Sequence, residues 1–123
     1  MKHLNIDGIH FINKILHFYR DKYGIFNIKI YCATLDSFNF FIRYFRKSNC
    51  IESKIDLGRK FSMGNAGYVE LYNIPDGQIE NVESCKILLI DDAYSKKTIE
   101  SVFEPLCNDD SNKITFTPML FTY

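Results

Sequence analysis

The sequence predicts one domain over residues 1–123 of the α/β or α+β class, in which a mixed, partly parallel sheet of about five strands packs with three helices in two or three layers. Three observations support this prediction. The length is that of one ordinary domain, period-two and helical hydrophobic patterns alternate along the chain, and residues 87–90 are apolar on both faces, as in a strand buried between layers. The expected order is α-β-α-β-β-β-α-β.

The first half of the chain alternates helix and strand. Apolar residues spaced three and four apart predict a helix at about 8–23, and alternation over 26–32 predicts a strand. A second helix is expected to begin near Asp36, whose carboxylate can cap the first free amides. Alternation over 51–57 then predicts a strand with one solvated face.

The second half continues this pattern. Residues 68–73 predict a strand closed by a turn at 75–77, and 86–90 is the best candidate for the centre of the sheet. Ser95 can cap a third helix, and a last strand is expected over 113–117. The two strand–helix–strand units imply right-handed crossovers and at least partly parallel pairing.

Charge is balanced over the whole chain but divided unevenly between its halves. Residues 1–60 carry eleven Lys or Arg against five acids, whereas residues 61–123 carry four against ten. In one domain these charges can pair within the fold; on separate faces they would steer a charged partner. A net charge of zero argues against a dedicated nucleic-acid-binding protein.

The cysteines favour a reducing compartment. Cys32, Cys50, Cys85 and Cys107 form no CxxC pair of the kind found in zinc sites, and the polar N-terminus predicts no secretory signal. We therefore expect four free thiols in a cytoplasmic protein without a resident metal or cofactor. The longest purely apolar run, 87–90, is far too short to span a bilayer.

The acidic pair after the apolar strand is a candidate ligand site. Ligands of open α/β sheets bind beyond the carboxyl ends of the strands, where Asp36 follows the first strand and Asp91 and Asp92 follow the later one. Two adjacent carboxylates before a helix could hold Mg²⁺ and a phosphorylated ligand. The alternative is that these acids only begin the helix, because they complement its dipole.

The sequence KILLIDD at 86–92 resembles the signature of type I phosphoribosyltransferases, a hydrophobic strand with two acids before a loop and a helix. The resemblance implies that Asp91 and Asp92 bind the ribose hydroxyls of phosphoribosyl pyrophosphate. It also implies that the loop from Ser95 to Thr98 holds the 5′-phosphate, with Mg²⁺ present. The resemblance covers the last third of the chain, and this loop lacks the family's glycine and is about one residue shorter.

The second helix is unusually aromatic. Beside its apolar stripe it carries Phe40 and Tyr44, four residues apart, which are expected to form an exposed patch beside Arg43, Arg46 and Lys47. Aromatic and Arg side chains are enriched at protein interfaces, so these five residues are the candidate partner-binding surface. The alternative is a generous aromatic core, or an AT-rich coding bias of the kind common in mobile elements and prophages.

The sequence-based hypothesis is a small, non-catalytic cytoplasmic protein that binds and blocks another macromolecule, as an inhibitor or immunity protein does. It rests on small size, uneven charge, surplus aromatics and the lack of a complete catalytic motif. The alternative is a phosphate- or nucleotide-binding enzyme that uses Asp91 and Asp92, with Asp36, Ser95 and Thr98 nearby. Oligomeric state is left open.

Overall fold

The computed structural model describes residues 2–6, 26–47, 50–62, 67–83, 87–106 and 113–118. Seven strands in this part of the chain form one mixed sheet. They are β1 (Lys2–Ile6), β2 (Phe26–Cys32), β3 (Ile51–Ile55), β4 (Gly58–Ser62), β5 (Gly67–Asn73), β6 (Ile87–Asp91) and β7 (Lys113–Pro118). Their spatial order is β1-β7-β6-β2-β5-β4-β3, so β1 and β3 are its outer strands.

The sheet is parallel through most of its width. β1, β7, β6, β2 and β5 pair in parallel, whereas β4 pairs antiparallel with both β5 and β3. The expected α/β class and partly parallel pairing are confirmed. The strand count is corrected from five to seven within the described residues, because β1 and β4 were not predicted. The helix expected over 8–23 lies outside those residues.

The strand predicted over 86–90 is buried as expected. Every residue of β6 is buried, from Ile87 to Asp91, because layers cover both faces of the sheet. The middle position belongs to β2, however, and β6 lies beside it. The two faces of the sheet carry separate apolar clusters. One contacts the helix that follows β2, and the other contacts the helical segment that follows β6.

The first described helix, α1, runs from Leu35 to Arg46. Its N-cap is Thr34, whose hydroxyl accepts a hydrogen bond from the Ser37 N–H at 3.2 Å. The expected cap at Asp36 is therefore wrong, because the cap lies two residues earlier and Asp36 is in the exposed first turn of the helix. There its charge still complements the helix dipole.

The helix expected after Ser95 is present but irregular. It comprises α2 (Lys96–Thr98), a π-helical turn over Ile99–Phe103 and a 3-10 turn over Glu104–Leu106. The predicted cap is confirmed, since the Ser95 hydroxyl accepts from the Thr98 N–H at 3.2 Å. The buried Lys113 of β7 donates from Nζ to the Glu104 carbonyl at 2.7 Å and so holds the end of this segment to the sheet.

α1 and the 96–106 segment lie on opposite faces of the sheet. Phe41 and Phe45 of α1 pack in one apolar cluster, and Phe103 packs in the other. The chain advances from β2 through α1 towards one edge, and from β6 to β7 towards the other. Right-handed crossovers of opposite advance place their helices on opposite faces, so the result is a three-layer arrangement.

Candidate functional site

Asp91 lies at the carboxyl end of β6 and is 1% exposed. Its Oδ2 accepts a hydrogen bond from the Ala33 N–H, and its Oδ1 accepts one from the Ala93 N–H, both at 3.0 Å. The carboxylate thereby joins the loop after β2 to the loop after β6. Both oxygens are engaged in this structural link, and the side chain does not present a free carboxylate to solvent.

Asp92 is the exposed member of the acidic pair. Its Oδ2 accepts a hydrogen bond from the Thr117 hydroxyl of β7, and its own N–H donates to the Phe116 carbonyl at 2.8 Å. The side chain therefore fastens the loop after β6 to β7. The two acids differ in environment and in partner, although they are adjacent in sequence.

Two further candidate ligand residues at this edge, Ser95 and Thr98, bond to Asp76. Ser95 donates from its N–H and hydroxyl to Oδ1 of Asp76, at 3.2 and 3.3 Å. Hydrogen bonds from the Thr98 hydroxyl and the Ser95 N–H hold the pKa of Asp76 below its ordinary value. Tyr94 directly precedes Ser95, and its hydroxyl donates a hydrogen bond to the Ile74 carbonyl at 2.7 Å.

The two cysteines in the described part of the chain, Cys32 and Cys50, carry thiols, while Cys85 and Cys107 lie outside it. Burial raises the pKa of Cys32 well above its ordinary value, and the negative charge of Asp91 adds to that effect. Burial likewise raises the pKa of Cys50. Neither thiol has the depressed pKa of a catalytic cysteine.

The expected aromatic patch on α1 is wrong for Tyr44, which is 6% exposed and packs edge-on against Phe45 at 5.0 Å between centroids. Phe40 is half-buried against the same cluster. Arg46 reaches the open edge of the sheet, where its Nε and Nη2 donate to the Glu52 carboxylate at 2.8 and 3.0 Å. Arg43 and Lys47 are exposed cations.

A cleft that the sequence did not predict opens on the face of the sheet opposite α1. We call it the tyrosine cleft; its volume is about 480 Å³. Its floor is formed by Lys29, Tyr31, Glu70 and Tyr72 of β2 and β5. The two tyrosine rings stack at 4.9 Å between centroids with 9° between their planes, which fixes the floor.

The walls of the tyrosine cleft come from two loops. The turn between β3 and β4 forms one wall, and residues 80–83 form the other. Four carboxylates line it against two ammonium groups, which gives a local net charge of −2. These side chains are Asp56, Glu70, Glu80, Glu83, Lys29 and Lys60.

Two polar contacts organise the floor of the cleft. Lys29 Nζ lies 3.5 Å from a Glu83 carboxylate oxygen, and the Tyr72 hydroxyl donates to Glu70 Oε2. Partial burial and the bond to Glu70 raise the pKa of Tyr72, so this hydroxyl stays protonated at physiological pH. The cleft therefore offers carboxylate acceptors beside an aromatic surface.

The rim of the cleft holds a strained backbone position. Leu57, in the turn between β3 and β4, has φ 62° and a side chain that is 59% exposed. The left-handed region costs a non-glycine residue of order 1–2 kcal/mol. Strained backbone positions of this kind cluster at active sites, ligand clamps and switch regions.

No family model, curated protein or solved structure matches this chain. Among the described residues, no three His, Cys, Asp or Glu side chains are grouped closely enough to hold a metal ion. Within the same ranges, no helix has the length and apolar character needed to cross a membrane.

Proposed function

We propose that this chain is a small, non-catalytic protein that binds another protein and blocks one of its surfaces, as inhibitors and immunity proteins do. The tyrosine cleft carries the proposal, because it combines a rigid aromatic floor, an acidic lining and a strained, exposed leucine at its rim. Interfaces concentrate their binding energy in a few residues, among which tyrosine is enriched.

The chemistry of the cleft selects a basic partner surface. Its excess of carboxylates attracts Lys or Arg side chains, and the half-buried ring of Tyr72 offers a face for a cation. The volume of about 480 Å³ suits one or two long side chains rather than a folded element. We therefore propose that a basic loop or terminus of the partner inserts here, while flanking surface supplies the rest of the contact.

The arrangement at the acidic pair supports a binding protein over an enzyme. The carboxylate of Asp91 has both oxygens bonded to backbone amides, and Asp92 is fastened to Thr117. A ligand that used the pair as phosphoribosyltransferases do would have to displace these bonds. We also propose a cytoplasmic location, which the thiols of Cys32 and Cys50 support.

The test uses three purified variants and the unmodified chain as baits in extracts of the cells that naturally produce this protein. The cleft variant carries Glu80→Lys and Glu83→Lys, and the α1 variant carries Arg43→Ala and Lys47→Ala. The control carries Glu100→Lys, at an exposed position of the 96–106 segment. We expect the unmodified, α1 and control baits to retain the same partner, and the cleft variant to lose it. Retention by the cleft variant with loss from the α1 variant would move the binding surface to α1.

A second titration examines the enzyme alternative directly. Calorimetry with Mg²⁺ and phosphoribosyl pyrophosphate should show no saturable heat with the unmodified chain. Saturable binding that is lost in an Asp91→Asn, Asp92→Asn variant would contradict the proposal and assign the acidic pair to a nucleotide-binding enzyme.

A further inference from the structure

The outer strand β3 is exposed to solvent along most of its length, although two of its five residues are isoleucines. Residues Ile51 to Lys54 are exposed and Ile55 is half-buried, and Ile51 alone is 72% exposed. In the described part of the chain, β3 pairs with β4 on one side and has no strand on the other. Such an edge is a ready template for another strand unless charge, proline or a bulge protects it.

The register of the hairpin shows which backbone groups face the open edge. The Asn73 N–H donates to the Leu57 carbonyl at 3.0 Å, so the odd-numbered residues of β4 bond to β5. Backbone hydrogen bonds point to alternate sides along a strand. The even-numbered residues of β4 therefore bond to β3, where Lys60 lies opposite Ser53. Consequently Ser53 bonds inward, and the backbone N–H and C=O groups of Glu52 and Lys54 point to the open edge.

Glu52 and Lys54 differ in the charges that lie near them within the same chain. Glu52 lies near two arginines, with one oxygen 2.8 Å from Arg46 Nε and the other 3.3 Å from Arg59 Nε. Lys54, in contrast, lies directly opposite Arg59 in the antiparallel register. Like charges directly opposite are unfavourable, and among the described residues Lys54 makes no ion pair.

We propose that β3 pairs antiparallel with β3 of a second copy about a two-fold axis at Ser53, forming a homodimer with one continuous sheet. In this register Glu52 lies opposite Lys54 of the other copy, and the reciprocal pair repeats across the axis. The outward backbone groups of these residues form two hydrogen-bonded pairs. On the other face Ile51 meets the partner's Ile55, which covers a side chain that is 72% exposed in the single chain.

The charges also select this register over its neighbours. Shifting the axis to residue 52 places Glu52 opposite itself, and shifting it to residue 54 places Lys54 opposite itself. Both shifts keep the outward backbone groups paired but set like charges face to face. A sheet-edge contact between identical surfaces closes with two copies and leaves no further edge of the same kind.

Sedimentation velocity over a range of concentrations tests the proposal, with the matched control Lys97→Glu on the 96–106 segment. We expect the unmodified chain and the control to show a concentration-dependent dimer. Lys54→Glu and Glu52→Lys should each raise the dissociation constant at least about tenfold, because both place like charges opposite one another. Circular dichroism and thermal melting check that each variant is folded.

Mixing the two charge variants supplies the decisive arm. The Lys54→Glu chain is acidic at both facing positions and the Glu52→Lys chain is basic at both, so every charged contact across the axis of the mixed pair joins opposite charges. Equimolar mixing should therefore restore a dimer at concentrations where neither variant dimerises alone. A chain that stays monomeric at every concentration would overturn the proposal and leave Lys54 as a protective edge charge. A dimer unaffected by both substitutions would overturn it too, by placing the interface elsewhere.

Discussion

Replacing Asp91 by Asn tests whether the carboxylate of Asp91 stabilises the fold or is kept for binding a ligand. Asparagine has nearly the same shape, but it offers one carbonyl oxygen to two backbone donors and turns its own NH₂ towards the other donor. One charge-assisted hydrogen bond is lost and a partly buried amide loses its acceptor, while the second bond loses its charge. With about 1.5–3 kcal/mol for a bond to a charged group, we expect a loss of about 2–4 kcal/mol in the free energy of unfolding.

Urea unfolding measures this loss, and Asp92→Asn is the matched control. The exposed Asp92 should cost less than about 1 kcal/mol, since the Thr117 hydroxyl can still donate to an amide oxygen. For a typical urea dependence, the Asp91 variant should unfold at about 1–3 M lower urea than the unmodified chain. If the two variants were equally stable, or Asp91→Asn were stabilising, Asp91 would not be the structural link described here.

Four further expectations follow from contacts elsewhere. Thr34→Ala removes the α1 cap and should cost about 1 kcal/mol in urea unfolding, whereas Asp36→Ala should cost less. Gly58→Ala should destabilise by at least about 1–3 kcal/mol, because a Cβ there would lie 2.0 Å from the Leu71 carbonyl oxygen. Leu57→Gly should stabilise by about 1 kcal/mol yet weaken partner binding, and equal or tighter binding by this variant would remove Leu57 from the interface. The pKa values of Glu52 and Asp76 are lowered by their hydrogen bonds from Arg46 and from Thr98, so their stabilising effect is complete above the unfolded-state pKa and is lost as pH falls through the folded-state value. Stability should therefore fall between about pH 5 and pH 3, less steeply in a Glu52→Gln, Asp76→Asn variant, and equal slopes for the two proteins would contradict this assignment.

Hydrophobic periodicity correctly predicted those strands and helices in which burial produces a regular pattern of apolar residues. The strands at 26–32 and 86–90 and the helix after residue 34 are present within one or two residues, because each has a regular apolar face. The α1 cap was misplaced since Thr34 and Asp36 are both good caps, and only the backbone conformation decides between them.

The missed strand β4 explains two further errors. Gly58 directly follows the strand predicted over 51–57, but it begins β4, where the close approach of Leu71 excludes a side chain. The positive φ of the turn therefore belongs to Leu57, a residue that sequence rules do not expect there. With β4 missing, the wall and the rim that the turn between β3 and β4 supplies to the tyrosine cleft could not be predicted.

The burial of Tyr44 was missed as well. A narrower sheet would cover only one stripe of α1, which leaves Tyr44 on an exposed flank. The additional strand places Phe61 beneath the helix, stacked with Phe45 at 5.1 Å between centroids, and Tyr44 packs edge-on against Phe45 in the same apolar cluster. The buried arc of a helix depends on the width of the sheet beneath it, which helical periodicity alone does not report.

The most direct test of the proposed function is the affinity of the purified partner for the chain and for its Glu80→Lys, Glu83→Lys variant, measured by calorimetry. We expect the charge reversal to weaken binding at least about tenfold, while Glu100→Lys leaves it unchanged. Equal affinity of all three proteins would contradict the assignment of the tyrosine cleft as the binding surface.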